Sequence, residues 1–201
     1  MIDTQPDVGP VNFLLAGVGG QGTILASNVV AEVGLVLGYE AKKAEVHGMS
    51  QRGGSVISHV RWGRPVFSPT IARGEVDILV AFEELEAARF VDQLRPGGLV
   101  LINRQQIMPV TVSAGEALYP AEPAIQARLT AVTGRVYGVD GLALARKIGN
   151  VKTANVTVLG ALSALLGHEP EPWLKVVESR VPPRFVELNR QAFEAGRAAV
   201  T

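Results

Sequence analysis

Residues 17–22 read Gly-Val-Gly-Gly-Gln-Gly and lie between an apolar run and a helical pattern, which restricts the chain more than any other feature. Residues 11–17 (VNFLLAG) carry no charge and have the length of a strand buried on both faces. Residues 23–37 (TILASNVVAEVGLVL) read as a helix, apolar around most of its circumference and stopped by Gly38. Strand, glycine loop and helix in that order open a Rossmann-like unit. Glycines there permit positive φ and let a phosphate approach backbone N–H groups at a helix N-terminus. Gly17, Gly19, Gly20, Gln21, Gly22 and Thr23 are therefore candidate cofactor-binding residues, with a tight strand-to-helix turn as the plainer alternative. No Lys-Ser or Lys-Thr follows, so this is not a P-loop.

The rest of the chain alternates in the same way. Strands are predicted over 40–46, 55–62, 76–82, 99–103 and 135–139, with 65–68 pairing onto 55–62 as a hairpin. Residues 47–54 read as a loop, 83–94 and 123–132 as helices, 95–98 (RPGG) as a turn, and 108–112 as ambiguous. After residue 140 the chain reads as helices, over 141–148, 153–166 and 182–200. The fold class that follows is α/β: a Rossmann-like three-layer sandwich with a mostly parallel sheet and a helical C-terminal part. Residues 1–201 are expected to form a single domain, with 1–10 as a flexible leader.

Composition narrows the function. Hydrophobic residues make up 47% of the 201 and charged ones 19%, enough apolar material for a full core. Nineteen basic residues balance nineteen acidic ones, without the basic excess of a nucleic-acid binder. Such neutrality gives little colloidal repulsion and suits a protein that lives in an assembly. With no cysteine, the chain holds no disulfide, thiolate zinc site or cysteine-held iron–sulfur cluster of its own. The N-terminus shows neither a basic leader nor an apolar h-region, and no apolar stretch reaches membrane-spanning length. The expected location is the cytoplasm, away from membrane and nucleic acid.

A second motif occupies residues 45–55 (EVHGMSQRGGS), unusually rich in glycine and hydrogen-bonding side chains. Ser50, Gln51, Arg52, Gly53 and Gly54 join the candidate binding residues, since an arginine flanked by glycines can present its planar fork to a phosphate or carboxylate. His47 is the one catalytic candidate. It is a lone histidine with no carboxylate fixed beside it, and is read as structural first. A dinucleotide site would need an acid at the end of the second strand; Glu40 and Glu45 are available, with Lys42 and Lys43 between them. Those lysines read as a solvated edge strand, or else as partners for a phosphate-bearing adenosine. His59 reads as a strand residue and His168 as solvated. Glu83, Glu84 and Glu86 open a helix, where acids meet the dipole favourably. No hydrolase triad, H-E-x-x-H or EF-hand spacing is present.

Taken together, FLLAGVGGQGTILASNVVAE, KKAEVHGMSQRGGSVISHVRWG, GEVDILVAFEELEA, RPGGLVLIN, NVTVLGALSALLG and VPPRFVELNRQAFEAG resemble the small (gamma or beta) subunits of 2-oxoacid:ferredoxin oxidoreductases over nearly the whole chain. The lead-in EVHGMSQRGGSV is similar to the indolepyruvate branch. The resemblance implies a complex that converts an aryl pyruvate, coenzyme A and oxidised ferredoxin into an aryl-acetyl-CoA, carbon dioxide and reduced ferredoxin. It implies thiamine diphosphate, Mg²⁺ and [4Fe-4S] clusters held by a large partner subunit, in a heterodimer or heterotetramer that ferredoxin meets through that subunit. This chain shows no cluster cysteines and no G-D-G…N pattern for Mg²⁺ and thiamine diphosphate. Its part would be shape and a contact with coenzyme A through Gly19, Gly20, Gln21 and Gly22, with Arg52 closing over the mouth or gripping the partner. The competing expectations are a stand-alone NAD(P)-binding oxidoreductase and a non-catalytic scaffold of the same fold.

Overall fold

A computed structural model of the chain describes residues 10–47 and 54–200. The strands are β1 (Val11–Val18), β2 (Glu40–His47), β3 (Ser55–Gly63), β4 (Val76–Ala81), β5 (Leu94–Asn103) and β6 (Val136–Val139). The helices are α1 (Thr23–Val36), α2 (Glu84–Phe90), α3 (Val110–Ser113), α4 (Glu122–Thr130), α5 (Gly141–Ile148), α6 (Ala154–Leu165), α7 (Pro170–Arg180) and α8 (Val186–Ala198). The sheet runs β2-β3-β1-β4-β5-β6. β1, β4, β5 and β6 pair in parallel, whereas β3 is antiparallel to both of its neighbours. The expected mostly parallel α/β sandwich is the fold observed.

Side-chain alternation along the central strands builds a core on each face of the sheet. Phe13, Leu15, Ile78, Val80, Leu99 and Leu101 point to one face and pack against α1, α6, α7 and α8. Leu14, Ala16, Leu79, Ala81, Val100 and Ile102 point to the other and pack against α2 and α4. The most apolar runs of the sequence are thus the ones covered on both sides. β2, with its Lys-Glu content, is an edge strand; Lys42 pairs with Glu40, and Lys43 with Glu45 and Asn28.

Helix α6 is apolar around its circumference because it is central, with nine of its twelve residues buried. It crosses α8 at two glycines. A Cβ on Gly160 would sit 1.9 Å from the Phe193 carbonyl oxygen, and one on Gly196 would sit 1.9 Å from that of Thr157. Backbone meets backbone there, so no side chain can yield.

Several local readings change. Residues 65–68 form no strand; β3 instead takes both of its partners, β1 and β2, along its length. The helix after β4 ends at Phe90 and tightens into a 3-10 turn over Val91–Gln93, and Leu94 already pairs with Val76. Residues 95–98 are therefore an irregularity inside β5 rather than a turn before it. His168 is not solvated. It is half-buried between α6 and α7, stacks on Trp62 at 6.0 Å, and accepts a hydrogen bond from Trp173 Nε1 at 3.4 Å. Among the described residues no helix is long and apolar enough to cross a membrane.

Two outcomes follow from this packing. Gly160→Ala and Gly196→Ala should each destabilise the fold by more than about 2 kcal/mol, because overpacking against backbone cannot relax by a rotamer change; urea unfolding measures this. Burial lowers the pKa of His168, aided by Arg197, and also that of His59. The folded state thus favours the neutral rings, whereas the unfolded chain takes protons near its ordinary pKa of about 6.5. Stability is therefore full above that value and falls as the pH drops below it. The Tm should decline between about pH 7.5 and pH 5.5, and less steeply in His168→Gln.

Candidate functional site

At the carboxyl end of the parallel strands, neighbouring strands β1 and β4 send the chain to opposite faces. α1 follows β1 on one face and α2 follows β4 on the other. Diverging connections leave a crevice between them, the position where open α/β sheets bind ligands. A cleft of about 580 Å³ opens there.

The glycine loop forms one wall. At Gly17, one residue before the end of β1, the packing is so tight that a Cβ would lie 2.5 Å from Thr23 Oγ1. Gly19 N–H donates to Gly54 O at 3.0 Å, which brings the end of the second motif beside the first. Gly22, with φ +77°, is the N-cap of α1, and no side chain caps that helix. Thr23 is buried, and its hydroxyl has no hydrogen-bond partner among the described residues. The loop is held by the Gln21 amide, which works in both directions. Oε1 accepts from Val18 N–H at 2.8 Å, and Nε2 donates to Phe82 O at 2.6 Å and to Gln105 Oε1 at 3.1 Å.

Gln105 extends the network to β5. Its Oε1 also accepts from Asn103 Nδ2 at 3.1 Å, Asn103 Nδ2 donates to Phe82 O at 3.2 Å, and Asn103 Oδ1 accepts from Gly141 N–H at 3.0 Å. Ties among side-chain amides and carbonyls thus run from the β1 loop to the start of α5.

The far wall comes from helix starts. Leu142 lies in the first turn of α5, and Ala154 and Asn155 in that of α6, with Val151 and Lys152 just before. Three helix N-termini, those of α1, α5 and α6, therefore border one cleft; that of α5 is capped by the Asp140 carboxylate, whereas those of α1 and α6 have no side-chain cap and bring partial positive charge. Lys152 is the one charged side chain among the described lining residues, and no carboxylate is present. Such a lining favours an anion.

Acids lie behind the wall rather than in it. Glu83 is buried at 1% exposure and caps α2, accepting from Glu86 N–H at 2.9 Å, from Ile107 N–H at 3.1 Å and from the Tyr119 hydroxyl. Burial, then the hydrogen bond to Glu83, holds the Tyr119 pKa far above its usual range, so the phenol stays a donor. Glu86 takes hydrogen bonds from Ser55 and Arg89. The helix-opening role expected of these acids is the one observed, with Glu83 at the N-cap and Glu84 and Glu86 in the first turn, and Glu83 and Glu86 also fasten segments around the cleft.

The structure brings Gly17, Gly19, Gly20, Gln21, Gly22, Thr23 and Gly54 together. His47 ends β2, and Ser50, Gln51, Arg52 and Gly53 lie outside the described residues. β2 and β3 are joined at the cleft end of the sheet, since His47 pairs with Val56 and Val18 with Ser55. Sequence reasoning missed Asn103, Gln105, Lys152 and Asn155. Asn103 ends a predicted parallel strand and Gln105 follows it, which was the available signal; Lys152 precedes and Asn155 opens a helix read for its apolar face. Among the described residues no group of three His, Asp or Glu side chains could hold a metal ion.

A dinucleotide fingerprint loses its carboxylate here. β3 intervenes between β1 and β2, so the end of β2 lies two strand spacings, roughly 10 Å, from the glycine loop. Glu40 is at the opposite end of that strand, and Glu45 pairs with Lys43.

Comparison with known proteins agrees with this architecture. The family model described as pyruvate ferredoxin/flavodoxin oxidoreductase matches residues 12–199. The chain is 40% identical to indolepyruvate oxidoreductase subunit IorB of Pyrococcus horikoshii and 39% identical to that of Thermococcus kodakarensis, in each case over 92% of this chain and 93% of the relative. The crystal structure of the gamma subunit of a keto/oxoacid ferredoxin oxidoreductase from Geobacter sulfurreducens superposes with a TM-score of 0.68 at 28% identity, covering 94% of this chain and 98% of that one.

The Gln21 bridge makes a prediction. Gln21→Ala should cost about 1–3 kcal/mol, the range for leaving buried polar partners unmade. The isosteric Gln21→Glu should cost more, because it sets a carboxylate against the oxygens of Phe82 and Gln105; chemical denaturation of the two variants gives the order.

Proposed function

Because the chain belongs to the pyruvate ferredoxin/flavodoxin oxidoreductase family, we propose that it is the small subunit of an indolepyruvate-type 2-oxoacid:ferredoxin oxidoreductase and that its cleft holds a phosphate of coenzyme A. The complex oxidatively decarboxylates an aryl pyruvate. Carbon dioxide leaves, the acyl carbon forms a thioester with coenzyme A, and both electrons pass singly to ferredoxin. Identities near 40% along almost the full length of indolepyruvate subunits support the substrate branch.

Thiamine diphosphate with Mg²⁺ and [4Fe-4S] clusters supply the decarboxylation and electron-transfer chemistry, and belong to a large partner subunit. This chain has no cysteine and, among its described residues, no group of metal ligands. Its own work is binding and orientation. The free N–H groups at the α1 N-terminus and Lys152 receive the anion, and the Gln21–Gln105–Asn103 amides keep the loop from collapsing into the crevice. Arg52 and its neighbours, which lie outside the described residues, would close the mouth or grip the partner. The observation that carries the reading is two helix N-termini without a side-chain cap, those of α1 and α6, and one lysine around a cleft whose described lining holds no carboxylate. The stand-alone dinucleotide enzyme is disfavoured by the displaced β2, which removes the ribose-binding acid.

Two measurements test the proposal. Anaerobic purification of the tagged chain from its host should bring down a large, brown, iron–sulfur-containing subunit; a colourless chain eluting alone contradicts the assignment. In that complex Lys152→Glu should raise the KM for coenzyme A about tenfold, equivalent to about 1.4 kcal/mol, with kcat little changed. An unchanged KM removes the anion role of the cleft.

A further inference from the structure

A cavity of about 230 Å³ lies between α4 and the edge strand β6, on the face of the sheet that packs against α2 and α4. Ile102 and Ile125, 3% and 2% exposed, give it a buried apolar side. Arg104 follows Asn103 at the carboxyl end of β5, and its backbone N–H still donates to Val139 O at 2.8 Å. Strand alternation therefore turns Arg104 away from the cleft that Asn103 lines and into this cavity. Glu84, from the first turn of α2, lines the same cavity.

Two opposite charges border this space without meeting. Among the described residues neither Arg104 nor Glu84 makes an ion pair. Glu84 Oε2 accepts from Gln106 Nε2 at 2.8 Å, which leaves Oε1 available. Gly138 of β6 makes the seat for Arg104: a Cβ there would lie 2.4 Å from Arg104 Nε and 3.2 Å from its Cζ. The missing side chain lets the guanidinium lie against the β6 backbone at the cavity. A simple anion placed here would meet the Glu84 carboxylate, and a simple cation would meet the Arg104 guanidinium. A ligand carrying both signs meets neither penalty.

We propose that this cavity binds a free α-amino acid with an aliphatic side chain. The Arg104 fork takes the carboxylate, a geometry that suits two parallel hydrogen bonds. Glu84 Oε1 takes the ammonium group, and Ile102 and Ile125 take the side chain. The volume is below the roughly 300 Å³ at which pockets for drug-sized ligands begin, which suits one small metabolite. The site is on the opposite face of the sheet from α1 and is independent of the anion role of the cleft.

The test is calorimetric titration of the full chain, in the complex in which it purifies, with L-leucine, 4-methylpentanoate and L-leucinamide. The second probe lacks the ammonium group and the third lacks the carboxylate. L-Leucine should saturate one site per chain and bind at least about tenfold more tightly than either, since each analogue leaves one charged partner unmatched. Glu84→Gln should erase the preference over 4-methylpentanoate, and Arg104→Gln the preference over L-leucinamide. Gly138→Ala should weaken L-leucine at least about tenfold with the thermal unfolding of the complex unchanged, because the atoms that its methyl displaces are the end of a flexible side chain. Three results overturn the proposal: no saturable L-leucine binding, equal affinity for L-leucine and 4-methylpentanoate, or an L-leucine affinity indifferent to both Arg104→Gln and Gly138→Ala.

Discussion

The divergence of the chain after β1 and β4 is the constraint on which the rest of the structure depends. Two adjacent parallel strands whose connections leave by opposite faces cannot close over their shared end, so the fold opens a crevice at that point. The protein then has to stop its own backbone from filling the gap. Gln21 does this with one side chain, accepting from the loop at Val18 and donating across the crevice to Phe82 and Gln105. Glutamate would lack the donors and leucine would lack both halves, so the residue type follows from the geometry.

Packing on the α1, α6 and α8 face gives the crevice its charge. α6 approaches α8 at backbone distance through Gly160 and Gly196, and its buried sequence leaves little freedom in how it lies on the sheet. With α6 held there, its first turn stands beside Gly22. α5 is fixed at its own start by Asn103, which accepts from Gly141 N–H. The convergence of helix ends is thus a consequence of close packing and one amide, and Lys152 adds a full charge where the uncapped ends of α1 and α6 add fractions. Glu83 and Glu86, in contrast, spend their charge on loop-fastening hydrogen bonds away from the lining.

Much of this was legible in the sequence because it depends on short-range pattern. The apolar runs at 11–17 and 76–82 become strands buried on both faces, and G-x-G-x-x-G marks the turn into α1. What was not legible depends on contacts distant in sequence. The strand at 55–62 alternates like any half-buried strand, and nothing local says that it inserts between β1 and β2, which is the step that displaces Glu45 from the loop. His168 looked solvated because the ring it stacks on, Trp62, is over a hundred residues away. Lys152 precedes and Asn155 opens a helix whose apolar content dominates any local reading, and only the placement of α6 against Gly22 gives them a site.

The most direct measurement is a structure of the assembled complex with coenzyme A bound. The account predicts a phosphate against the backbone N–H groups of residues 20–23 and the Lys152 ammonium, with the Gln21 amide still bridging to Phe82 and Gln105. Coenzyme A bound wholly on the partner subunit, with the crevice of this chain filled by partner side chains, would contradict it and leave the glycine loop as a packing device.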